Sequence, residues 1–266
     1  MTPRKIHSIH RSPDKSNGKP PLLFIHGGYV HSGCWDLHFL PYFAAQGYEC
    51  HAIDLSGHGL SEGRDCLDCF GLADYIEDAA NAVSGLKEKP IVIGHSMGAP
   101  IVEGLLLDVP VEAAILLSPV PTIGTLGALM RLSSCYPRFL VEISRISRLH
   151  ISEDNLLLMR NVYFSPQMPP QDLLAFVHLI QEESQRAALD FLMLACTFQP
   201  ARPKLPVLVM GGELDLLFPP SLLPFIARRW QAEMQVIPAT GHVIMLDVTW
   251  QTAARQMLDW LKKQGF

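Results

Sequence analysis

Short apolar runs recur along the chain, and each stops at a turn-forming residue. Leu22-Leu23-Phe24-Ile25 ends at His26-Gly27-Gly28, Tyr48 to Ile53 ends at Asp54, and Pro90 to Ile93 ends at Gly94. Ala113 to Leu117 ends at Ser118-Pro119, Val207 to Met210 at Gly211-Gly212, and Met234 to Ile237 at Pro238. Runs of this length, bounded by Gly and Pro, suit strands buried on both faces. Between them the period changes. Leu72, Ile76, Ala79 and Val83 recur at helical spacing within residues 72–86. Residues 247–263 close on Lys262-Lys263-Gln264-Gly265, with basic side chains in the last turn and glycine beyond it. Strands alternating with helices predict a parallel α/β sheet.

One stretch breaks the rhythm. Residues 122–199 carry no strand signal, and Pro169-Pro170-Gln171-Asp172 opens a helix with Leu173, Val177 and Ile180 on one face. The expected organisation is a core from residues 1–121 and 200–266, with 122–199 as a helical cap. Ligands in open α/β sheets bind outside the carboxyl ends of the strands, and the insertion follows such an end. It therefore reads both as helices packed on the core and as the wall of a pocket.

Composition narrows the classes. At roughly 150 residues per domain, 266 residues make one large domain with an insertion. Twenty-one Lys and Arg against 26 Asp and Glu leave a net charge of −5, which argues against a nucleic-acid partner. An apolar content of 48% with 18% charged residues excludes general disorder. The mean hydropathy of +0.19 raises the question of a membrane span. The best window, residues 113–130, is uncharged but contains Pro119, Pro121, Gly124 and Gly127, so no integral membrane segment is expected. The first 12 residues lack the apolar core of a secretory signal. The six cysteines then read as free thiols in a reducing, cytoplasmic setting. Cys66-x-x-Cys69 has no second pair for a zinc ribbon.

The chemistry concentrates where runs end. Gly94-His95-Ser96-Met97-Gly98 follows one strand and precedes a helix, the setting of a G-x-S-x-G nucleophile elbow. The turn is so tight that the residues two before and two after Ser96 must be small. The Met97 N–H would then face a reacting carbonyl oxygen. His26-Gly27-Gly28 can offer a second N–H from Gly28, with Tyr29 next to it at the oxyanion loop or the pocket wall. His26 is expected to brace its loop by hydrogen bonding. Asp54-Leu55-Ser56-Gly57-His58-Gly59-Leu60-Ser61 is turn chemistry, and its His58 lies in the wrong loop for a base. Asp215 follows the fifth run and His242 the sixth, which gives the chain order Ser, Asp, His. Ser96 is thus the expected nucleophile, His242 its base and Asp215 the group that orients His242. Glu213 and Asp247 are the rival acids, the latter as part of the closing helix. The other histidines show no metal-ligand spacing, and no phosphate-cradling glycine motif occurs, so neither metal nor cofactor is expected.

These motifs resemble the α/β-hydrolase superfamily, above all its carboxylesterase, monoacylglycerol-lipase-like and lysophospholipase-like members. The matching residues are His26-Gly27-Gly28, Asp54-x-x-Gly57-x-Gly59-x-Ser61, the Ser96 pentapeptide, Gly211-x-x-x-Asp215 and Gly241-His242. The resemblance implies an eight-stranded, mostly parallel sheet flanked by helices, with the cap inserted after the sixth strand. It implies hydrolysis of a small or medium apolar acyl ester through an acyl-enzyme. Ser rather than Asp at position 96 speaks against dehalogenase and epoxide hydrolase chemistry. Perhydrolysis, C–C bond hydrolysis, hydroxynitrile lysis and a non-catalytic ligand receptor stay open, as does a homodimer. The insertion carries Leu126, Leu129, Met130, Met159, Phe164, Met168, Phe176, Phe191 and Met193, a set that suits flexible apolar ligands. Arg138, Glu142, Arg145 and Arg148 read as a solvated helix face, with an anionic head group as the sharper alternative.

Overall fold

The structure is a computed structural model that describes residues 4–15, 18–147, 152–194 and 204–266. Arg148, His150, Cys196 and the expected boundary at 199/200 lie outside the described residues. Seven strands form one sheet: β1 Ser8–Arg11, β2 Leu22–Ile25, β3 Cys50–Ile53, β4 Ile91–His95, β5 Ala113–Leu117, β6 Val207–Gly212 and β7 Glu233–Ile237. Their order is β1-β3-β2-β4-β5-β6-β7. Only β1 runs antiparallel, pairing Ser8 with Ile53 and Arg11 with Cys50. All six apolar runs are strands.

The eighth strand implied by the resemblance does not occur among the described residues. Pro13, Pro20 and Pro21 deprive the approach to β2 of ladder donors. Residues 5–7 are held instead by the turn after β3, where the Asp54 N–H donates to His7 O and the Glu62 N–H to Lys5 O. The helical insertion accordingly follows the fifth strand of this sheet, not the sixth.

Alternation along β2 sends Leu22 and Phe24 to one face and Leu23 and Ile25 to the other. The first face packs on α1 Gly33–Asp36, α2 Phe39–Ala45 and α11 Trp250–Lys263, through Trp35, Phe39, Phe43, Met257 and Leu261. The second packs on α3 Leu72–Ser84, α4 Gly98–Leu105 and α10 Leu223–Trp230, through Tyr75, Ile101, Leu105 and Ile226. With both faces covered, the strands read as continuous apolar runs. No helix among the described residues is long and apolar enough to cross a membrane.

Between β5 and β6 lie α5 Leu126–Cys135, α6 Phe139–Ser147, α7 Glu153–Tyr163, α8 Pro170–Val177 and α9 Gln185–Leu192. The Ser152 hydroxyl caps α7 by accepting the Asn155 N–H, and the Asn155 side chain accepts the Ser152 N–H in return. Pro170 opens α8, where the missing N–H has no intrahelical partner to lose. The closing helix starts at Trp250, three residues after Asp247. The Asp247 carboxylate is occupied elsewhere, accepting the N–H groups of Ser165 and Gly241 and the Ser165 hydroxyl.

Candidate active site

Ser96 sits between β4 and α4 at φ +52°, a left-handed conformation that costs a residue with a Cβ about 1–3 kcal/mol. Two glycines permit it. A Cβ on Gly94 would lie 2.3 Å from Gly98 O, and one on Gly98 would lie 2.5 Å from Ile25 O. The Ser96 N–H donates to Leu117 O at 2.9 Å, tying the elbow to the next strand.

His242 and Asp215 arrive from the loops after β7 and β6. His242 Nε2 lies 3.0 Å from Ser96 Oγ, and His242 Nδ1 lies 2.8 Å from Asp215 Oδ2. The other Asp215 oxygen accepts the N–H groups of Leu217 and Phe218, both at 2.9 Å. Asp215 and His242 are each 2% exposed, so water competes little for these bonds. Neither rival acid reaches the imidazole. Glu213 accepts the Ala239 N–H, and Asp247 holds Gly241, one residue before His242. His95, to which the sequence assigned no role, donates from Nε2 to His242 O at 3.0 Å. Burial pushes the His95 pKa well below the usual imidazole range, so the brace is neutral.

Gly28 and Met97 line the cavity beside Ser96, and their N–H groups make no hydrogen bond among the described residues. Two unspent donors on the rim of a cavity suit a developing oxyanion. Tyr29 differs. Its φ is +64° and its N–H donates to Glu183 Oε2 at 3.2 Å, which leaves Tyr29 as cavity wall. His26 Nε2 accepts the Leu55 N–H at 3.1 Å, and Nδ1 donates to Gly27 O at 2.8 Å. Burial, with His58 nearby, lowers the His26 pKa to about 4. It braces two loops, as expected. Asp54 is a buried hub whose carboxylate accepts the N–H groups of Ser32 and Leu60.

Ser96 and His242 open onto a cavity of about 450 Å³, within the ordinary range for small-molecule sites. Its far wall comes from the insertion, including Ala128, Leu132, Phe139, Ile143 and Ile180. Leu129, Phe176 and Phe191 of the expected set also line it. Met159, Phe164 and Met168 are buried without lining it, whereas Leu126, Met130 and Met193 face solvent. No Lys or Arg lines the cavity among the described residues. Arg138 and Arg145 are exposed and both pair with the buried Glu142 carboxylate, a helix-face ion pair.

His10, Glu49 and His51 come within metal-ligand reach of one another at the β1–β3 edge. Spacing along the chain could not show this, because antiparallel pairing puts His10 opposite His51. The Glu49 carboxylate lies 3.0 Å from His10 Nε2 and 3.3 Å from His51 Nε2, so the group already pairs within itself.

Residues 22–255 match the "Alpha/beta hydrolase family". The chain belongs to that family. A pimeloyl-[acyl-carrier protein] methyl ester esterase of Nitrosomonas europaea is 28% identical, over 90% of this chain and 94% of that one. Mouse epoxide hydrolase 3 is 23% identical, over 90% and 69% of the two chains. Among solved structures, a thermophilic esterase from Thermogutta terrifontis superposes with a TM-score of 0.74 at 19% identity, covering 99% and 96% of the chains. A monoacylglycerol lipase from Paleococcus ferrophilus gives 0.70 at 17% identity, covering 98% and 99%. At such identities the structural likeness speaks for the fold.

Proposed function

We propose that this α/β hydrolase cleaves carboxylic esters of uncharged, small to medium apolar acyl groups through an acyl-enzyme. The observation that carries this reading is the contact series Ser96–His242–Asp215 on the wall of an apolar cavity. His242 Nε2 takes the Ser96 proton as Oγ attacks the ester carbonyl. Asp215 holds Nδ1–H, selects the tautomer and stabilises the imidazolium. The N–H groups of Gly28 and Met97 receive the carbonyl oxygen as it becomes negative. His242 then gives its proton to the leaving alcohol, and a water activated by the same imidazole releases the acid.

A buried carboxylate without a cation is costly, so a cavity lacking Lys and Arg favours an uncharged acyl chain. Residues 122–199 act as the cap that supplies this wall. The relatives named for ester hydrolysis support the same bond type. Five cysteines, Cys34, Cys50, Cys66, Cys69 and Cys135, are free, which supports a reducing, cytoplasmic location.

A p-nitrophenyl ester series from acetate to laurate tests the reading, with fluorophosphonate labelling of wild type and Ser96→Ala. Hydrolysis and labelling that vanish in Ser96→Ala support it. An unlabelled wild type that binds esters without turnover would identify a receptor instead. A parallel series with hydrogen peroxide separates perhydrolysis from hydrolysis.

A further inference from the structure

The segment between α8 and α9 grips the loop that carries Gly28. The Gln181 N–H donates to Tyr29 O at 2.8 Å. The Gln181 side chain donates to Val30 O at 3.0 Å and accepts the Gly59 N–H at 3.2 Å. Glu183 turns inward, its side chain 3% exposed. Its Oε2 accepts the Tyr29 N–H and His58 Nε2, both at 3.2 Å. Its Oε1 accepts the Tyr75 hydroxyl at 3.0 Å and the Ser184 N–H at 2.8 Å. An ionised carboxylate has about four lone-pair sites, and here all are taken. Glu183 lines the cavity, but its acceptor sites are all spent on the protein.

The charge on Glu183 has a partner. His58 Nδ1 faces Ser56 O at 3.1 Å, so both ring nitrogens of His58 meet acceptors and the ring is an imidazolium. Burial opposes both charges, yet their attraction and hydrogen bonding hold His58 above its usual range and Glu183 below its own. The pair joins the insertion to the turn after β3.

We propose that Gln181 and Glu183 are positioning residues for the oxyanion hole, a strap that holds Tyr29 left-handed and so aims the adjacent Gly28 N–H at the reacting carbonyl. The proposal rests on the hydrolase reading given above. Tyr29 at φ +64° would relax to negative φ if released, since a side chain with a Cβ disfavours this region. The strap takes its N–H on one side of that torsion and its C=O on the other. Relaxation at Tyr29 would swing the Gly28 peptide away from Ser96. The neighbourhood confirms the tight fit, because a Cβ on Gly28 would lie 3.3 Å from Glu183 Oε2 and 3.7 Å from Met97 Sδ.

The test compares full-length wild type, Glu183→Gln and Gln181→Ala by two readouts. Amide hydrogen exchange reports the peptide spanning residues 26–34, with β4 and β5 peptides as internal controls. Ester kinetics report kcat and KM separately. In Glu183→Gln the amide NH₂ faces a backbone donor whichever way it turns, the Tyr29 N–H or the Ser184 N–H, and the charge that pairs with His58 is lost, so the strap loosens in either orientation. Exchange at residues 28–30 should rise about tenfold while β4 and β5 hold. kcat should fall about 10- to 100-fold, with KM within about threefold, because the lost contact is to the transition state. Gln181→Ala keeps its N–H on Tyr29 O and loses only the side-chain bonds to Val30 O and the Gly59 N–H, so it should move both readouts the same way by less, through the loosened anchor of the strap on this loop, and it decides the matter if Glu183→Gln does not fold. Unchanged exchange at 28–30 overturns the strap, whatever the activity. Faster exchange with unchanged kcat overturns the link to the oxyanion hole. A fall in kcat matched by faster exchange in β4 and β5 marks general loosening and also overturns it. A wild type inert to every ester and to fluorophosphonate overturns the hydrolase reading itself, and exchange then judges the strap alone.

Discussion

Replacing Asp215 with Asn changes one oxygen to nitrogen, and the structure says which way the amide must face. Asp215 Oδ1 accepts two backbone N–H groups, from Leu217 and Phe218. Only the amide oxygen can replace it there, so the NH₂ group must take the place of Oδ2, 2.8 Å from His242 Nδ1. Nδ1 must then accept, which puts the ring proton on Nε2, facing Ser96 Oγ at 3.0 Å. A ring that donates to Ser96 cannot take its proton. The expected cost in turnover is about 10⁴-fold, or about 5 kcal/mol in the barrier. The fold should survive, because both backbone bonds persist with a neutral acceptor, at a cost of about 1–2 kcal/mol. p-Nitrophenyl butyrate hydrolysis with a matched urea melt measures both. Glu213→Gln, whose exposed carboxylate accepts the Ala239 N–H and does not reach His242, serves as the control and should stay within about threefold of wild type. Activity in Asp215→Asn within tenfold of wild type, or a larger loss in Glu213→Gln, would refute the tautomer argument.

The remaining expectations are shorter. Ser96→Ala and His242→Ala should each cost about 10⁶-fold in kcat, and the double variant little more, since the two act as a unit; a multiplicative loss in the double variant argues against that. Ala128→Phe, on the cavity wall and 8% exposed, should lower kcat/KM for octanoate at least about tenfold while sparing acetate; an unchanged chain-length profile would place the acyl chain elsewhere. His26, at about 4 in the fold against about 6.5 unfolded, binds fewer protons folded than unfolded between those values, so stability falls as pH drops through that window, by about 3 kcal/mol. Urea midpoints of wild type and His26→Gln across pH 6.5 to 4 check it, and an equal slope in both would remove His26 as a source; His95 pushes in the same direction and keeps part of the slope. His58 runs opposite, its contribution present below about pH 6.5 and lost as pH rises through its raised value.

The sheet and the convergence of Ser96, Asp215 and His242 were legible because their addresses are local. Each follows a buried apolar run, and parallel pairing of β4, β5, β6 and β7 brings the carboxyl ends of those runs together. The choice of Asp215 over Glu213 needed only the direction of one loop. β1 was not legible: Ser8-Ile9-His10-Arg11 is largely exposed and polar, as an edge strand can be, so no apolar run announces it. The cavity wall was legible in part: Leu129, Phe176 and Phe191 line it, three of the nine residues expected to. Leu129 and Met130 are chain neighbours of similar hydropathy, yet one lines the cavity and the other faces solvent. Helix rotation decides that, and the apolar pattern of α5, with Leu126, Leu129, Met130 and Leu132 spread around the helix, does not give the rotation.

Glu183 marks the boundary of what chain order can reveal. Gln181-Glu182-Glu183-Ser184 is a polar stretch between two helices and reads as solvated loop. Its partners Tyr29, His58 and Tyr75 stand 154, 125 and 108 residues away, and no spacing rule connects them. A reacting group must lie where strand ends converge, so topology gives it an address. A group that holds a loop in place needs only to be near it in space, and a buried acid must be fully bonded to be tolerated there. The sign of such a residue is therefore a count of satisfied lone pairs in the fold. Glu183, with all four in use around a strained Tyr29, is where that count bears most directly on the chemistry.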